Sequence, residues 1–266
     1  MKILGYTEEE LEKMRYENYL SYKRDKNNYS YWYEKVKECG IKMAESYIYQ
    51  VPYEQYKRCY SENEEEIKIF KEFVAEQIKD LPYVWYNIKN GTFSNKFDFQ
   101  SCGGIIPQIP EKLHLINYCS AIVDAGGFTE FVIREHIYAD ENIPTIYYGM
   151  PLRSEFRVFY DFDKKEVLYS VNYWDFDYCY EHLSVTDKIV FEHERQRLED
   201  NFNQRKEEVE ELVKKHMVDV DLQGKWSIDI LYNELEDNYW LIDMAEAHRS
   251  AYWNMKLLVS QMKKNL

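Results

Sequence analysis

The sequence predicts an α+β fold whose sheets are largely antiparallel. Three observations support this class: the first third of the chain has helical patterns, the remainder mixes strands with helices, and two pairs of strands are joined by short polar turns. The regular strand–helix alternation of a doubly wound parallel sheet does not occur. With 266 residues, of which 45% are hydrophobic, the chain is long enough for one large domain or two smaller lobes.

A helical N-terminal region is predicted for residues 1–82. Its first helix begins after Thr7, which has a glutamate three residues later, as in a capping box. Helical patterns follow over residues 29–50 and 61–81, and a proline then ends the last helix. The pattern changes at residue 83, so residues 83–266 are predicted to form a second region.

The second region reads as strands and helices in turn, with two hairpins. Apolar runs bounded by Gly, Asn and Asp favour strands, and amphipathic stretches favour helices. The predicted elements, in order, are a strand leading into a turn-rich loop at 83–104, a helix at 111–127, a strand at 129–138, a hairpin at 151–174, a helix at 187–217, paired strands at 225–246 and a helix at 249–264.

Composition excludes several classes of protein. The formal charge of −14 repels nucleic-acid backbones, so no nucleic-acid partner is expected. Five cysteines without a CxxC motif favour reduced thiols over disulfides or a zinc site, and Cys102, close to Lys96, is the only candidate for a reactive thiol. No apolar run approaches the ~20 residues of a membrane helix, so we expect no membrane partner and a cytoplasmic location.

Two aspartates lie inside the paired strands near the C-terminus. Asp229 interrupts one apolar run and Asp243 ends the next, and the turn between the strands places them close together. Neighbouring carboxylates are unfavourable unless a cation lies between them. Mg²⁺ takes one or two carboxylates together with phosphate oxygens. A magnesium site is therefore predicted at Asp229 and Asp243.

Basic side chains precede these acids along the chain. Lys89 ends a strand, Lys96 lies in a loop rich in Gly, Ser and Asn, and Arg157 lies between apolar residues of a strand. Such groups can hold phosphate oxygens, and a guanidinium fits a phosphate with two hydrogen bonds. The alternatives are that the lysines are solvated surface groups and that Arg157 forms an exposed ion pair with Glu155.

The strand at 129–138 carries a third kind of feature. Arg134 and Glu135 follow an apolar run, and Ile137 comes where the strand passes into a linker. Backbone groups at such a place can bind the edge of an adenine ring, with apolar side chains above and below it. The alternative is an edge strand with an outward-facing salt bridge.

Taken in order, residues 83–253 resemble the ATP-grasp nucleotide-binding fold. They are similar to the cell-division-cycle-type assembly factors of translation initiation and to small ATP-grasp proteins of bacteria and their phages. The resemblance implies two antiparallel-sheet lobes with flanking helices, a hinge near residues 134–150, and ATP and Mg²⁺ as cofactors. The helical N-terminal region matches no part of this pattern.

The resemblance also implies roles for individual residues. It implies that Lys96 and Arg157 are catalytic and bind phosphate, and that Lys89 is a further phosphate contact. It also implies that each of the two paired strands near the C-terminus supplies one acid that binds the metal. The residues that would bind the nucleotide are Lys89, Lys96, Arg134, Glu135, Ile137 and Arg157, and those that would bind the metal are Asp229, Asp243 and Glu246.

One departure from the family pattern concerns the metal site. Members often have Asn two positions after the second acid, and this chain has Ala245 there, which cannot coordinate a metal. Glu246 is the expected replacement, as an acid takes about this place in some phage-type members. Without such a replacement, catalysis is weakened while nucleotide binding survives.

Three functions are consistent with these features. The first is an ATP- and Mg²⁺-dependent ligase that joins a small-molecule or peptide carboxylate to an amine through an acyl phosphate. The second is an ATP-binding assembly or interaction factor that binds a protein partner without ligase turnover. The third is a phage-encoded structural or inhibitory protein whose strands only mimic the fold.

Overall fold

The computed structural model describes residues 6–123 and 125–253, and the chain divides into two compact units. Each unit contains a sheet and the helices that cover one of its faces. Within the described ranges, unit 1 contains residues 6–31 and 45–136, and unit 2 contains residues 32–44 and 137–253.

Unit 1 combines a four-stranded sheet with helices. Its helices are α1 (Glu8–Lys23), the start of α2 (Tyr29–Val36), α3 (Tyr53–Cys59), α4 (Glu64–Ile78) and α5 (Ile109–Ile122), and 3-10 turns lie at Lys96–Ser101 and Ile106–Gln108. Its strands are β1 (Ser46–Gln50), β2 (Tyr86–Asn90), β3 (Gly103–Gly104) and β4 (Glu130–Glu135), arranged in the order β1-β4-β2-β3 with antiparallel pairing.

The apolar core of unit 1 lies between its sheet and helices α4 and α5. The fully buried Phe70 and Val74 of α4 and Leu113 of α5 pack against β2 and β4, including Ile88 and Ile133. Helix α4 is fixed at its start by an Asn cap and three glutamates in its first turn, which complement the helix dipole. Strand residues that alternate with these apolar ones project to the opposite side of the sheet.

Unit 2 contains a second four-stranded sheet and one long helix. Its strands are β5 (Thr145–Ile146), β6 (Met150–Pro151), β7 (Glu155–Asp161), β8 (Glu166–Asn172), β9 (Lys225–Asn233) and β10 (Asn238–Glu246), and its further helices are α6 (Phe176–Cys179), α7 (Val185–Met217) and 3-10 turns at Tyr180–His182 and Ala247–Arg249. The larger sheet has the order β10-β9-β7-β8, and every neighbouring pair in it is antiparallel.

Helix α7 covers one face of this larger sheet. Phe156 of β7 stacks on Phe202 of the helix with ring centroids 5.6 Å apart, and the Tyr239 hydroxyl of β10 donates to Glu208 at 2.7 Å. Ser184 caps the start of the helix by accepting the Asp187 backbone N–H. The alternating residues of β7, β9 and β10 therefore form a second face that α7 does not cover.

The predicted α+β class with antiparallel sheets is confirmed. Both predicted hairpins occur, as β7–β8 and as β9–β10. Among the described residues, no helix is both long enough and apolar enough to cross a membrane.

The prediction of a separate helical region at residues 1–82 is wrong in two respects. Residues 46–50 form strand β1 rather than the end of a helix, because their alternating Tyr and Ile side chains pair with β4 about eighty residues later. The helices of this stretch also form no unit of their own, since residues 32–44 belong to unit 2 and the others to unit 1. Residues 254–264 of the predicted C-terminal helix lie outside the described residues.

Candidate functional site

Three charged residues occupy directly paired positions on adjacent strands of unit 2. Arg157 of β7 pairs with Asp229 of β9, which in turn pairs with Asp243 of β10. Directly opposed residues of antiparallel strands project from the same face. Asp243 reaches this row because a β-bulge after Leu241 adds one residue to β10. Without that residue, Asp243 would alternate to the face covered by α7. We call this row the charged row of unit 2.

The charged row contains a close ion pair. Arg157 Nε and Nη2 donate to the two carboxylate oxygens of Asp229, each at 2.8 Å, and the two side chains are 11% and 9% exposed. The guanidinium also lies 4.7 Å from the ring centroid of Tyr173. Burial alone would lower the pKa of Arg157, but the carboxylates of Asp229 and Asp243 outweigh burial and raise it. Arg157 therefore carries its charge at any physiological pH.

The charged row fits a magnesium ion that is also held by phosphate. Arg157 uses one acceptor position on each oxygen of Asp229, so that carboxylate retains free lone pairs, and Asp243 adds a second carboxylate. Among residues 6–123 and 125–253, no three His, Cys, Asp or Glu side chains are grouped so that they could hold a metal. The two paired carboxylates match the one or two that Mg²⁺ takes together with substrate phosphates.

The register does not support Glu246 as a ligand beside Asp243. Glu246 pairs with Trp226 and lies three positions after Asp243, so strand alternation gives it the face of Met244. Ala245 lies on the same face as Asp243, where its carbonyl accepts a hydrogen bond from the Ser227 hydroxyl at 3.3 Å. Ala245 is thus on the same face as Asp243 but carries only a methyl group, which cannot coordinate a metal.

Unit 1 places two of the predicted phosphate-binding cations on one face of its sheet. Arg134 pairs with Asn87, so it shares a face with Lys89 two positions later on β2. Lys89 Nζ lies 5.3 Å and Arg134 Cζ 5.9 Å from the ring centroid of Tyr29. Lys89 is only 3% exposed, so the alternative that it is a solvated lysine is wrong. Strand β4 lies between β1 and β2, so the alternative of an edge strand is wrong as well.

Comparisons with known proteins agree with this fold. No protein-family model matches the sequence, and no curated protein matches it. Among solved structures, Cdc123 from Schizosaccharomyces pombe aligns with a TM-score of 0.53 and 15% identity over 85% of each chain. Its C-terminally truncated form gives a TM-score of 0.52 and 14% identity over 88% of each chain. The fold resembles that of Cdc123.

A third structural neighbour is a longer enzyme. N5-carboxyaminoimidazole synthase from Aspergillus clavatus, solved with ADP and 5-aminoimidazole ribonucleotide, aligns with a TM-score of 0.41 and 16% identity. The alignment covers 89% of this chain and 48% of that enzyme. At these levels of identity, the alignments with Cdc123 bear on the fold and not on the chemistry.

The loop that carries Lys96 is shaped by hydrogen bonds at its two ends. Asn90 Oδ1 accepts the backbone N–H groups of Thr92 and Phe93, which turns the chain sharply after β2. Asn95 has a left-handed conformation, with φ of 48°, and Lys96 then begins a 3-10 turn. Lys96 is half-buried and stands six positions beyond the end of β2, whereas Lys89 is within the strand.

Cys102 closes this loop and is not a reactive thiol. Its Sγ donates to the Ser94 carbonyl at 2.6 Å, and the residue is 5% exposed. Burial raises the pKa of the Cys102 thiol to about 12. The thiol therefore remains protonated at neutral pH, and the expectation of a reactive cysteine is not supported.

The predicted adenine-binding residues Glu135 and Ile137 belong to different units. Glu135 ends β4 on the face opposite to Arg134, and its backbone N–H donates to the Glu45 carbonyl at 2.9 Å. Ile137 belongs to unit 2, is 7% exposed, and its carbonyl accepts a hydrogen bond from Arg153 Nη1 at 3.0 Å. The carbonyl of Ile137 is thus already engaged, and its role as an adenine contact stays a prediction.

Two residues that shape the polar face of unit 1 were missed in the sequence. Glu130 is 1% exposed, and its carboxylate accepts the Ser30 backbone N–H and the Gln50 side-chain amide, each at 3.0 Å. Tyr29 supplies the ring beside Lys89. Tyr29 is one of 26 tyrosines in the chain, and Glu130 looks like the polar start of a strand, so neither carried a signal.

Proposed function

We propose that this protein binds ATP with Mg²⁺ and uses it to join a carboxylate to an amine through an acyl phosphate. The observation that carries the proposal is the charged row of unit 2, Arg157–Asp229–Asp243, which the bulge in β10 assembles on one face of the sheet. Two carboxylates with a guanidinium beside them supply both metal ligands and a permanent cation for phosphate oxygens.

Each group has a distinct role in this proposal. Asp229 and Asp243 hold Mg²⁺, which neutralises phosphate charge when it is bound. Lys89 and Arg134 of unit 1, together with Lys96 from the loop, contact phosphate oxygens. Backbone groups near Glu135 and Ile137 bind the adenine edge, and Glu246 has no role at the metal because the register puts it on the other face of the sheet.

Arg157 is the proposed catalytic cation. A carboxylate oxygen of the substrate attacks the γ-phosphorus of ATP, the bond from that phosphorus to the bridging oxygen breaks, and ADP leaves. The amine nitrogen then attacks the acyl carbon, inorganic phosphate leaves, and the nitrogen loses a proton. Fixed cations stabilise the charge that spreads over the transferring group in the first step. Arg157 is held for this role by its two bonds to Asp229.

Nucleotide binding is tested by thermal unfolding and calorimetry with ATP, with and without MgCl₂. A ligand that binds only the folded state raises the melting temperature, by an amount that grows with the logarithm of its concentration relative to its Kd. We expect a rise with ATP that is larger with Mg²⁺, and a smaller rise for Lys89→Met. Lys68→Met is the matched control, because Lys68 is a 63% exposed lysine of α4 in the same unit. No binding of millimolar ATP to folded protein contradicts the proposal.

Ligase turnover is tested by ADP release from panels of amino acids, small carboxylates and peptides. The proposal expects ADP formation that requires one carboxylate and one amine together, with Arg157→Lys strongly reduced because lysine cannot reproduce the two-bond contact with Asp229. Tight ATP binding without ADP release across the panels contradicts ligase activity.

A second candidate function is an ATP-binding assembly factor that acts on a protein partner in the cytoplasm. Ala245 favours this candidate, because the position on the face of Asp243 offers no ligand for a second metal. Replacement of Ala245 by Asn discriminates between the two. An assembly factor keeps its nucleotide affinity and shows no ADP release in either form, whereas a weakened ligase gains turnover in Ala245→Asn.

A further inference from the structure

We propose that Tyr29 is a positioning residue that holds Lys89 and Arg134 in place for the phosphates of the nucleotide. The inference rests on the proposed function, because it assigns a role within the same ATP site. It concerns a residue for which the resemblance implies no role.

Tyr29 is tied to every strand segment that carries a predicted nucleotide contact in unit 1. Its ring is 5.3 Å from Lys89 Nζ and 5.9 Å from Arg134 Cζ. Its backbone N–H donates to the Gly91 carbonyl at 3.0 Å, at the start of the loop that leads to Lys96, and its hydroxyl bonds with the Ser46 hydroxyl at 2.9 Å. Tyr29 is only 2% exposed.

The segment that carries this ring is itself held rigidly. The Ser30 backbone N–H donates to Glu130 Oε1, and Glu130 Oε2 accepts from Gln50, so a buried carboxylate fixes the start of α2. A Cβ added to Gly91 would lie 2.5 Å from Asn28 Oδ1 and 2.7 Å from Glu130 Oε1. The backbone of the loop can approach this segment only because residue 91 is glycine.

A fixed ring between two cations favours phosphate binding. The negative face of an aromatic ring attracts both cations. Removing water from the ring costs less free energy than removing water from a carboxylate. The ring orients both cations and adds no negative charge that would compete with an anionic ligand. Cations that are already oriented bind phosphate without further loss of side-chain entropy. The effect should therefore act on the phosphates and not on the adenine or ribose.

The test compares ATP with adenosine, both in the presence of MgCl₂, by calorimetry with competition. We expect Tyr29→Phe, which keeps the ring, to change ATP affinity by less than about twofold, and Tyr29→Leu to weaken ATP by about tenfold. Adenosine affinity should stay the same in both. Tyr19→Leu is the matched control, because Tyr19 is a 5% exposed tyrosine of unit 1 that also lies beside a lysine, with Lys23 Nζ at 5.8 Å.

A second variant keeps the test decisive if Tyr29→Leu does not fold. Pentafluorophenylalanine at position 29 retains the shape of the Phe variant but removes the negative face of the ring, so ATP should bind less tightly than it binds Tyr29→Phe. If the wild-type protein binds ATP but the fluorinated and Phe variants bind ATP equally tightly, the inference about Tyr29 is wrong and the proposed function still stands. If the wild-type protein binds no ATP, the proposed function itself fails.

Discussion

Both units have a four-stranded antiparallel sheet, and one face of each sheet carries charged residues. In unit 1, that face carries Lys89, Arg134 and the buried carboxylate of Glu130 beside the ring of Tyr29. In unit 2, it carries one guanidinium, Arg157, with two aspartates in register. Cations outnumber carboxylates on this face of unit 1, and carboxylates outnumber cations in the charged row of unit 2. We therefore expect unit 1 to bind phosphate and unit 2 to bind a divalent cation.

The units also stabilise buried charge in different ways. In unit 2, Arg157 donates two short hydrogen bonds to a carboxylate, and in unit 1 an aromatic ring lies beside Lys89 and Arg134. Removing one partner of a buried ion pair leaves an uncompensated charge, which is far more destabilising than losing a ring contact. The largest mutational effects on stability should therefore fall in the charged row of unit 2.

Replacement of Asp229 by Ala is the most disruptive change that we predict. It leaves the guanidinium of Arg157, 11% exposed, without its partner, and we expect a loss of about 3 kcal/mol in the free energy of unfolding. Chemical denaturation with urea measures this loss. The double variant Arg157→Met with Asp229→Leu is the control, because an apolar pair of similar size should recover most of the stability. An unchanged denaturation midpoint for Asp229→Ala contradicts this account of the row.

The corresponding change in unit 1 is Glu130→Ala, with a smaller expected loss of about 2 kcal/mol. The substitution leaves the Ser30 backbone N–H and the Gln50 amide without their acceptor at a site that is 1% exposed. Glu130→Gln keeps one side-chain oxygen for Ser30 and should lose less. Urea denaturation of both variants provides the measurement, and equal losses for Ala and Gln would show that the hydrogen bonds contribute little.

Sequence patterns predicted the hairpins and the charged strand residues because those features are local. Alternation within β7 and β9, and the short turn before β10, are visible in a stretch of a few residues. Local patterns favour a helix over the residues of β1, because its partner β4 lies about eighty residues away and no local pattern predicts that pairing. Tertiary contact overrode the local signal there.

The face on which each site residue lies, and how deeply it is buried, depend on strand register and tertiary packing, which no short sequence pattern shows. The face of Asp243 is set by a single extra residue in β10, and a one-residue shift in register would move its side chain to the other face. Pairing of Asp229 and Asp243 was predicted from the turn, whereas the two bonds from Arg157 to Asp229 were not, because cross-strand partners in β7 depend on the order of the sheet. Lys89 looked like any strand-end lysine, and only its 3% exposure separates it from the others.

Magnesium dependence sharpens the comparison between the units at the level of binding. Asp243→Asn in unit 2 should abolish most of the extra thermal stabilisation that Mg²⁺ gives to ATP, because a neutral amide is a weaker ligand for a hard cation. Lys89→Met in unit 1 should weaken ATP by about tenfold whether or not Mg²⁺ is present. Melting curves at several ATP concentrations, with and without MgCl₂, separate the two effects. The same Mg²⁺ dependence in both variants would contradict the assignment of Mg²⁺ binding to unit 2 and phosphate binding to unit 1.

The smallest predicted effect concerns the rigidity of the loop in unit 1. Burial raises the pKa of the Cys102 thiol to about 12, and its Sγ donates to the Ser94 carbonyl, so very little thiolate is present at pH 8. Iodoacetamide should therefore modify Cys102 more slowly than the partly exposed Cys179 of unit 2, and its rate should rise only as the pH approaches 12. Peptide mapping by mass spectrometry gives both rates in one sample. Rapid modification of Cys102 in folded protein would mean that the loop opens readily, and Lys96 would then have no fixed position from which to contact a phosphate.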